Sequence, residues 1–192
     1  VTKAEKLAEI AARIEADKTL EIAREATHSV PGEGNPDAQV VFVGEAPGEK
    51  EDLSGQPFVG AAGKILAEML AGIGLKREDV FITNTVKWRP PKNRDPLPEE
   101  IEACWDYLQE QLAVIDPPLI VTLGKHALER FLPGLRISQV HGEAKRRDGQ
   151  VYLPLYHPAA ALYNGSMRAQ LNYDFQKIPL VLKKITSEAS KT

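Results

Sequence analysis

Four side chains, far apart in the sequence, carry groups that together suit one kind of ligand. Glu45 offers a carboxylate, Phe58 a flat ring, Asn84 a carboxamide that both donates and accepts, and His157 an imidazole. A ring can stack on a planar ligand, while an amide and an imidazole can pair with polar atoms at its edge. A basic rim lies close by in the sequence: Lys87, Arg89, Lys92 and Arg94 fall within eight residues, and Lys125 and Arg168 stand in other loops. That inventory suits a planar, polar heterocycle carried on a phosphodiester. Each residue also has an ordinary use: Asn84 as a turn or cap, Phe58 in a core, His157 capping a loop, and the cations as a solvated face.

The elements that must bring these groups together follow from the pattern. Val40-Val41-Phe42-Val43 is an apolar run of buried-strand type that stops at Gly44, where the loop Gly44-Glu45-Ala46-Pro47-Gly48 begins. Glycines there permit close approach, and Pro47 stiffens the segment. Further strands are expected at Val80–Val86, Leu119–Leu123, Arg136–Val140 and Lys145–Leu155, the last a hairpin turning at Asp148-Gly149. Helices are expected in residues 2–26, at Phe58–Leu75, Pro98–Ile115, Gly124–Leu132 and Ala160–Tyr163, and as a closing helix Met167–Ser187. The stretches Gly32–Pro36 and 44–57 read as loops. Strands alternating with helices predict one domain over residues 1–192, a three-layer α/β/α sandwich with a central, mostly parallel sheet. Ligands of such sheets collect at the carboxyl ends of the strands. The loops 44–58, 84–95 and 155–168 should therefore meet at one edge.

Composition narrows the class. The chain has 192 residues, 43% of them hydrophobic, a net charge of −3 and a single cysteine, Cys104. This is the composition of an ordinary globular protein, with no apolar run near the roughly 20 residues that cross a bilayer. The amphipathic, charged N-terminal stretch is unlike a secretion signal, so a cytoplasmic location and no membrane partner are expected. One cysteine excludes an internal disulfide and a mainly thiolate metal site.

The stretches GEGNPDAQVVFVGEAPGEKEDLSGQPFVGAAG, FITNTVKWRPPKNRDPLPEEIEAC and LPLYHPAAALYNGSMR, in that order and covering nearly the whole chain, closely resemble the family-four uracil-DNA glycosylases. The resemblance implies an enzyme that flips uracil out of DNA, hydrolyses its N-glycosidic bond and leaves an abasic site; a monomer is expected by default. Asn84 matches the residue that reads the base, and Phe58 the ring on which it stacks. His157 matches the imidazole aimed at uracil O2. Gly44, Glu45 and Ala46 match the pocket lining near the sugar and base edge, where Glu45 either blocks a thymine methyl or orients water. Because Ala46 stands where another class carries aspartate, a dissociative transition state stabilised by donors to the uracil anion is expected. Leu162, with Tyr163, matches the loop that wedges into the duplex, though a buried turn would serve Leu162 equally. Lys92, Arg94, Lys125 and Arg168 are expected at the phosphates. Two alternatives remain: a glycosylase of the same superfamily with another base preference, and a catalytically silent DNA-damage or single-strand binder.

The chain departs from that family at one point. Most of its members hold a four-iron cluster with four cysteines; here the matching positions are Asp17, Leu20, Trp88 and Cys104. One thiolate cannot hold a cubane cluster, so no cofactor and no metal are expected, with Leu20 and Trp88 filling the space. Iron and acid-labile sulfide analysis of the purified protein should find no stoichiometric cluster; one iron–sulfur centre per chain would sink this alignment.

Overall fold

The computed structural model describes residues 1–192. Its centre is a six-stranded sheet in the order β1-β3-β2-β4-β6-β5. The inner four strands, β3 (Phe81–Asn84), β2 (Val40–Gly44), β4 (Leu119–Leu123) and β6 (Gln150–Leu155), run parallel. The edge strands β1 (Glu33–Gly34) and β5 (Lys145–Arg147) are antiparallel to their neighbours. The fold is thus the expected α/β/α sandwich.

Alternation along the strands divides the core into two faces. Val40 and Phe42 pack with α4 (Ala61–Gly72), α8 (Gly165–Phe175) and α9 (Lys177–Ala189) in one cluster, where Phe42 stacks on Phe175 at 5.8 Å. Val41 and Val43 point the other way, toward α5 (Pro98–Ile115), α6 (Lys125–Phe131) and α7 (Ile137–Val140). Burial of both faces explains why β2 and β4 are apolar throughout.

Helix α5 and strand β4 begin and end where Pro98 and Asp116-Pro117-Pro118 predict. The hairpin turns at Asp148-Gly149, both at positive φ. Other boundaries differ. Residues 137–140 form helix α7, not a strand, since β5 already occupies the free edge of β6 and Val140 reaches the core from a helical turn. The closing helix is two helices, α8 and α9, parted at Gln176; Pro179 is tolerated in the first turn of α9 but would clash with carbonyl 175 in a continuous helix. The 44–57 loop contains α3 (Glu49–Ser54), and the 32–36 loop contains β1. Helix α4 starts only at Ala61, leaving Phe58 outside it, and β3 stops at Asn84, where its partner β2 ends.

A third apolar cluster joins α1 (Lys3–Ala16) and α2 (Glu21–Glu25) to α5. Ile10, Ile14, Ile22, Val86, Trp88 and Cys104 are its buried members, and Leu20 packs against them. Asp17 accepts a hydrogen bond from Tyr107 at 2.8 Å. Burial pushes the Cys104 thiol up to about 11, so it stays protonated. Carbon fills this corner, and its one sulfur is not a thiolate; the residues do not fit an iron–sulfur cluster. The Trp88 indole N–H is buried without an acceptor. Trp88→Ala should therefore cost about 3 to 5 kcal/mol, while Trp88→Phe, which removes an unpaired donor and keeps a ring, should cost far less. Urea denaturation of the two variants checks this; equal losses would count against the packing role.

Candidate active site

The parallel register of β2 and β3 sets Gly44 beside Asn84 at the carboxyl end of the sheet. A Cβ at residue 44 would lie 2.5 Å from Asn84 Oδ1 and 2.6 Å from Phe58 Cζ. Only glycine lets the carboxamide and the ring close over the strand end. Asn84 is 2% exposed, and its Oδ1 is buried with no hydrogen-bond partner. An unpaired buried carbonyl costs roughly 1 to 3 kcal/mol, so an acceptor left in this state beside a cavity is poised for a donor from outside the chain.

Phe58 is held in an unusual conformation, with φ at 49°, where a bulky residue is strained. The arrangement is fixed from several sides. Arg77 donates to the carbonyls of Phe58 (2.8 Å) and Pro57 (2.6 Å), and is itself paired with Glu33. Gly63 lies so close beneath that a Cβ there would fall 1.8 Å from the Phe58 oxygen. Glu51, in the first turn of α3, accepts from the amides of Gly48, Val59 and Gly60, tying the 44–48 loop to the segment carrying the ring.

His157 closes the opposite side, its ring 5.5 Å from that of Phe58 and tilted 27° from it. Its Nδ1 accepts from the Ala159 amide at 3.1 Å, which puts the neutral ring's proton on Nε2. Burial, with a smaller push from His126, lowers its pKa to about 4. It is therefore an uncharged donor at neutral pH.

Asn84, Phe58 and His157 line one cavity of ≈ 260 Å³, with Ala46, Glu51 and Leu162. A second, of ≈ 390 Å³, shares Ala46 and His157 and holds Glu45, Asp95, Lys125 and His126. Burial raises the Glu45 pKa; the His126 imidazole pulls it down and the Asp95 carboxylate pushes it up. His126 Nε2 is 3.6 Å from Glu45 and 3.7 Å from Asp95, and the polar ends of the three lie within 4.8 Å of one another. This is the one place where three such side chains could share a cation, and a protonated His126 itself supplies one.

The basic residues divide. Lys92 and Lys125 are exposed near these cavities, and Arg94 lines the second while paired with Glu100. Arg168 is half-exposed and paired with Glu68. Lys87, expected at the phosphate rim, is fully buried: its Nζ is enclosed by four acceptor oxygens inside the protein. The hairpin Lys145–Arg147 lies at the sheet edge farthest from β3, with Arg146 paired to Glu188. Leu162 is half-buried against the core and lines the first cavity, whereas its neighbour Tyr163 stands 98% exposed. Sequence reasoning missed Glu51, Arg77 and His126. Only Glu51 left a local signal, as a carboxylate in the first turn after a glycine.

Residues 31–178 match the family model of the uracil DNA glycosylase superfamily. The chain is 50% identical to a type-4 uracil-DNA glycosylase of Archaeoglobus fulgidus over 91% of its own length and 92% of that protein's. It is 51% identical to one of Sulfurisphaera tokodaii over 79% of the chain and 74% of the relative. A third, of Thermotoga maritima, is 45% identical over 82% and 85%.

The lowered pKa of His157 links the site to stability. Its folded value of about 4 lies below the 6.5 of an unperturbed histidine, so the unfolded chain binds the extra proton between these values. Stability from the neutral ring is complete above pH 6.5 and is lost as pH falls toward 4, on the order of 3 kcal/mol in all. Wild type should lose more stability between pH 7 and 4.5 than His157→Gln; parallel losses in denaturant titrations would contradict the assignment.

Proposed function

The chain belongs to the uracil-DNA glycosylase superfamily, and from that premise we propose how its residues excise uracil. The protein is a DNA-repair hydrolase that breaks the N-glycosidic bond of uracil in DNA. The single observation that supports the pocket assignment is the buried, unpaired Asn84 Oδ1 in a cavity shared with Phe58 and His157.

Uracil presents N3–H between two carbonyls. Asn84 Oδ1 accepts from N3–H and its Nδ2 donates to O4; cytosine reverses both polarities and would leave buried groups unpaired. The base stacks on Phe58, a contact worth about 1 to 3 kcal/mol. His157 Nε2–H donates to O2, and Ala46 lines the same cavity. As the bond lengthens, negative charge gathers on O2 and O4, so these donors bind the transition state more tightly than the substrate. A neutral imidazole suits this: with Nδ1 accepting from the Ala159 amide, its one N–H stands on Nε2, free for the base. Glu45 lines the neighbouring cavity rather than that of the base. There it meets the sugar side, suited to orient the water that attacks the cation left behind.

Reaching a base inside a duplex requires extrusion. Leu162 and Tyr163 form the wedge, with Tyr163 the part that projects. Lys92 and Lys125, free of ion pairs, contact phosphates; Arg94 and Arg168 do so by exchanging their carboxylate partners for phosphate. Binding weakens steeply with salt for this reason. The chain acts as a monomer and a single domain, in the cytoplasm, on uracil-containing DNA.

Release of free uracil from a single-uracil oligonucleotide tests the reading. Wild type should turn over; Asn84→Ala should lose roughly 10²- to 10³-fold in single-turnover rate, and Phe58→Ala about 10- to 100-fold. No uracil release by the wild type, with intact DNA binding, would replace this reading by that of a silent binder.

A further inference from the structure

Lys87 is the charged side chain that neither the pocket nor the surface accounts for. It is 0% exposed, at the end of β3, three residues beyond Asn84. Its Nζ donates to Thr83 Oγ1 at 2.6 Å, Gln111 Oε1 at 2.8 Å and the Asn84 backbone carbonyl at 2.9 Å. The Pro31 carbonyl lies farther, at 3.3 Å. No carboxylate is among these partners. Its titratable neighbour is the Cys104 thiol, which burial keeps protonated.

The acceptors are themselves oriented. Thr83 Oγ1 donates to Pro31 O at 2.8 Å and so turns a lone pair toward Lys87. Gln111 Nε2 also donates to Pro31 O at 2.8 Å, which leaves Oε1 for Lys87. Four oxygens surround Nζ, three of them within 2.9 Å, and suit the three protons of an ammonium. A neutral amine has two, and its lone pair would face an oxygen. Burial pulls the Lys87 pKa down to about 7.

We propose that Lys87 is a positioning residue for the glycosylase reaction: as a buried ammonium bonded to the Asn84 carbonyl, it fixes the strand end that reads the base and adds a positive field favouring the departing uracil anion. The inference rests on the base-binding role of Asn84. A buried cation with no counterion has the least screening available in a protein, so its field reaches across to charge developing in the adjacent cavity. Lysine supplies this without entering the pocket, acting through the backbone of the residue that touches the base.

The experiment compares single-turnover release of uracil and of 5-fluorouracil from otherwise identical oligonucleotides. Fluorine stabilises the departing anion, so the second base needs less help from the protein. Lys87→Met removes the charge; Gln111→Glu keeps Lys87 but places a carboxylate against it, at the expense of the amide hydrogen bond to the Pro31 carbonyl. Both variants should release uracil about 10- to 100-fold more slowly than wild type, and the loss on fluorouracil should be several-fold smaller. Arginine at residue 87 is not a substitute, because its planar fork cannot meet three acceptors disposed around a point. Equal losses on both bases, or no loss in Gln111→Glu, would overturn the field contribution. If Lys87→Met does not fold, Gln111→Glu alone decides by the same criterion. Failure of wild type to release either base would instead refute the glycosylase reading itself.

Discussion

The close approach at Gly44 is the constraint on which the rest of the site depends. Parallel pairing of β2 with β3 fixes Gly44 beside Asn84, and the missing Cβ lets the carboxamide and the Phe58 ring meet over the strand end. The sheet thus sets the position of the Asn84 carboxamide through backbone hydrogen bonds rather than through a flexible loop. A group held in this way needs little reorganisation when charge develops next to it, which is the basis of electrostatic catalysis.

The neighbouring parts are costly alone and sustained together. Phe58 sits in a left-handed conformation that a bulky residue avoids, and Arg77, Glu51 and the close approach of Gly63 hold it there. Asn84 keeps an unpaired oxygen, and His157 gives up its normal basicity. Such costs are of a few kcal/mol in total and are met by the two large apolar clusters on either side of the sheet. The strain is concentrated around the cavity that Asn84, Phe58 and His157 share, while the strands behind it are regular.

Much of this was legible in the sequence because the signals are local. Pro98 and Asp116-Pro117-Pro118 bound α5, and Asp148-Gly149 turns the hairpin, each by backbone chemistry within a few residues. Asn84, Phe58 and His157 were legible from their types at the ends of predicted strands and in the loops beside them. Elements decided by tertiary context were not: α7 is a helix because no sheet edge remains for it, and β1 exists because β3 has one. Lys87 was misread for the same reason, since a lysine in a basic run resembles a surface residue until Thr83 and Gln111 are seen to enclose it. Arg77 and His126 act through partners tens of residues away, which no spacing rule reveals.

A corner closed by an indole and aliphatic side chains forms as the chain itself collapses, without waiting for inorganic atoms to be delivered. Oxidants that strip iron from thiolate sites meet a single protonated sulfur here, sealed from solvent beside Trp88. The junction of α1, α2 and α5 therefore draws its strength from apolar packing, with the Tyr107–Asp17 hydrogen bond beside it.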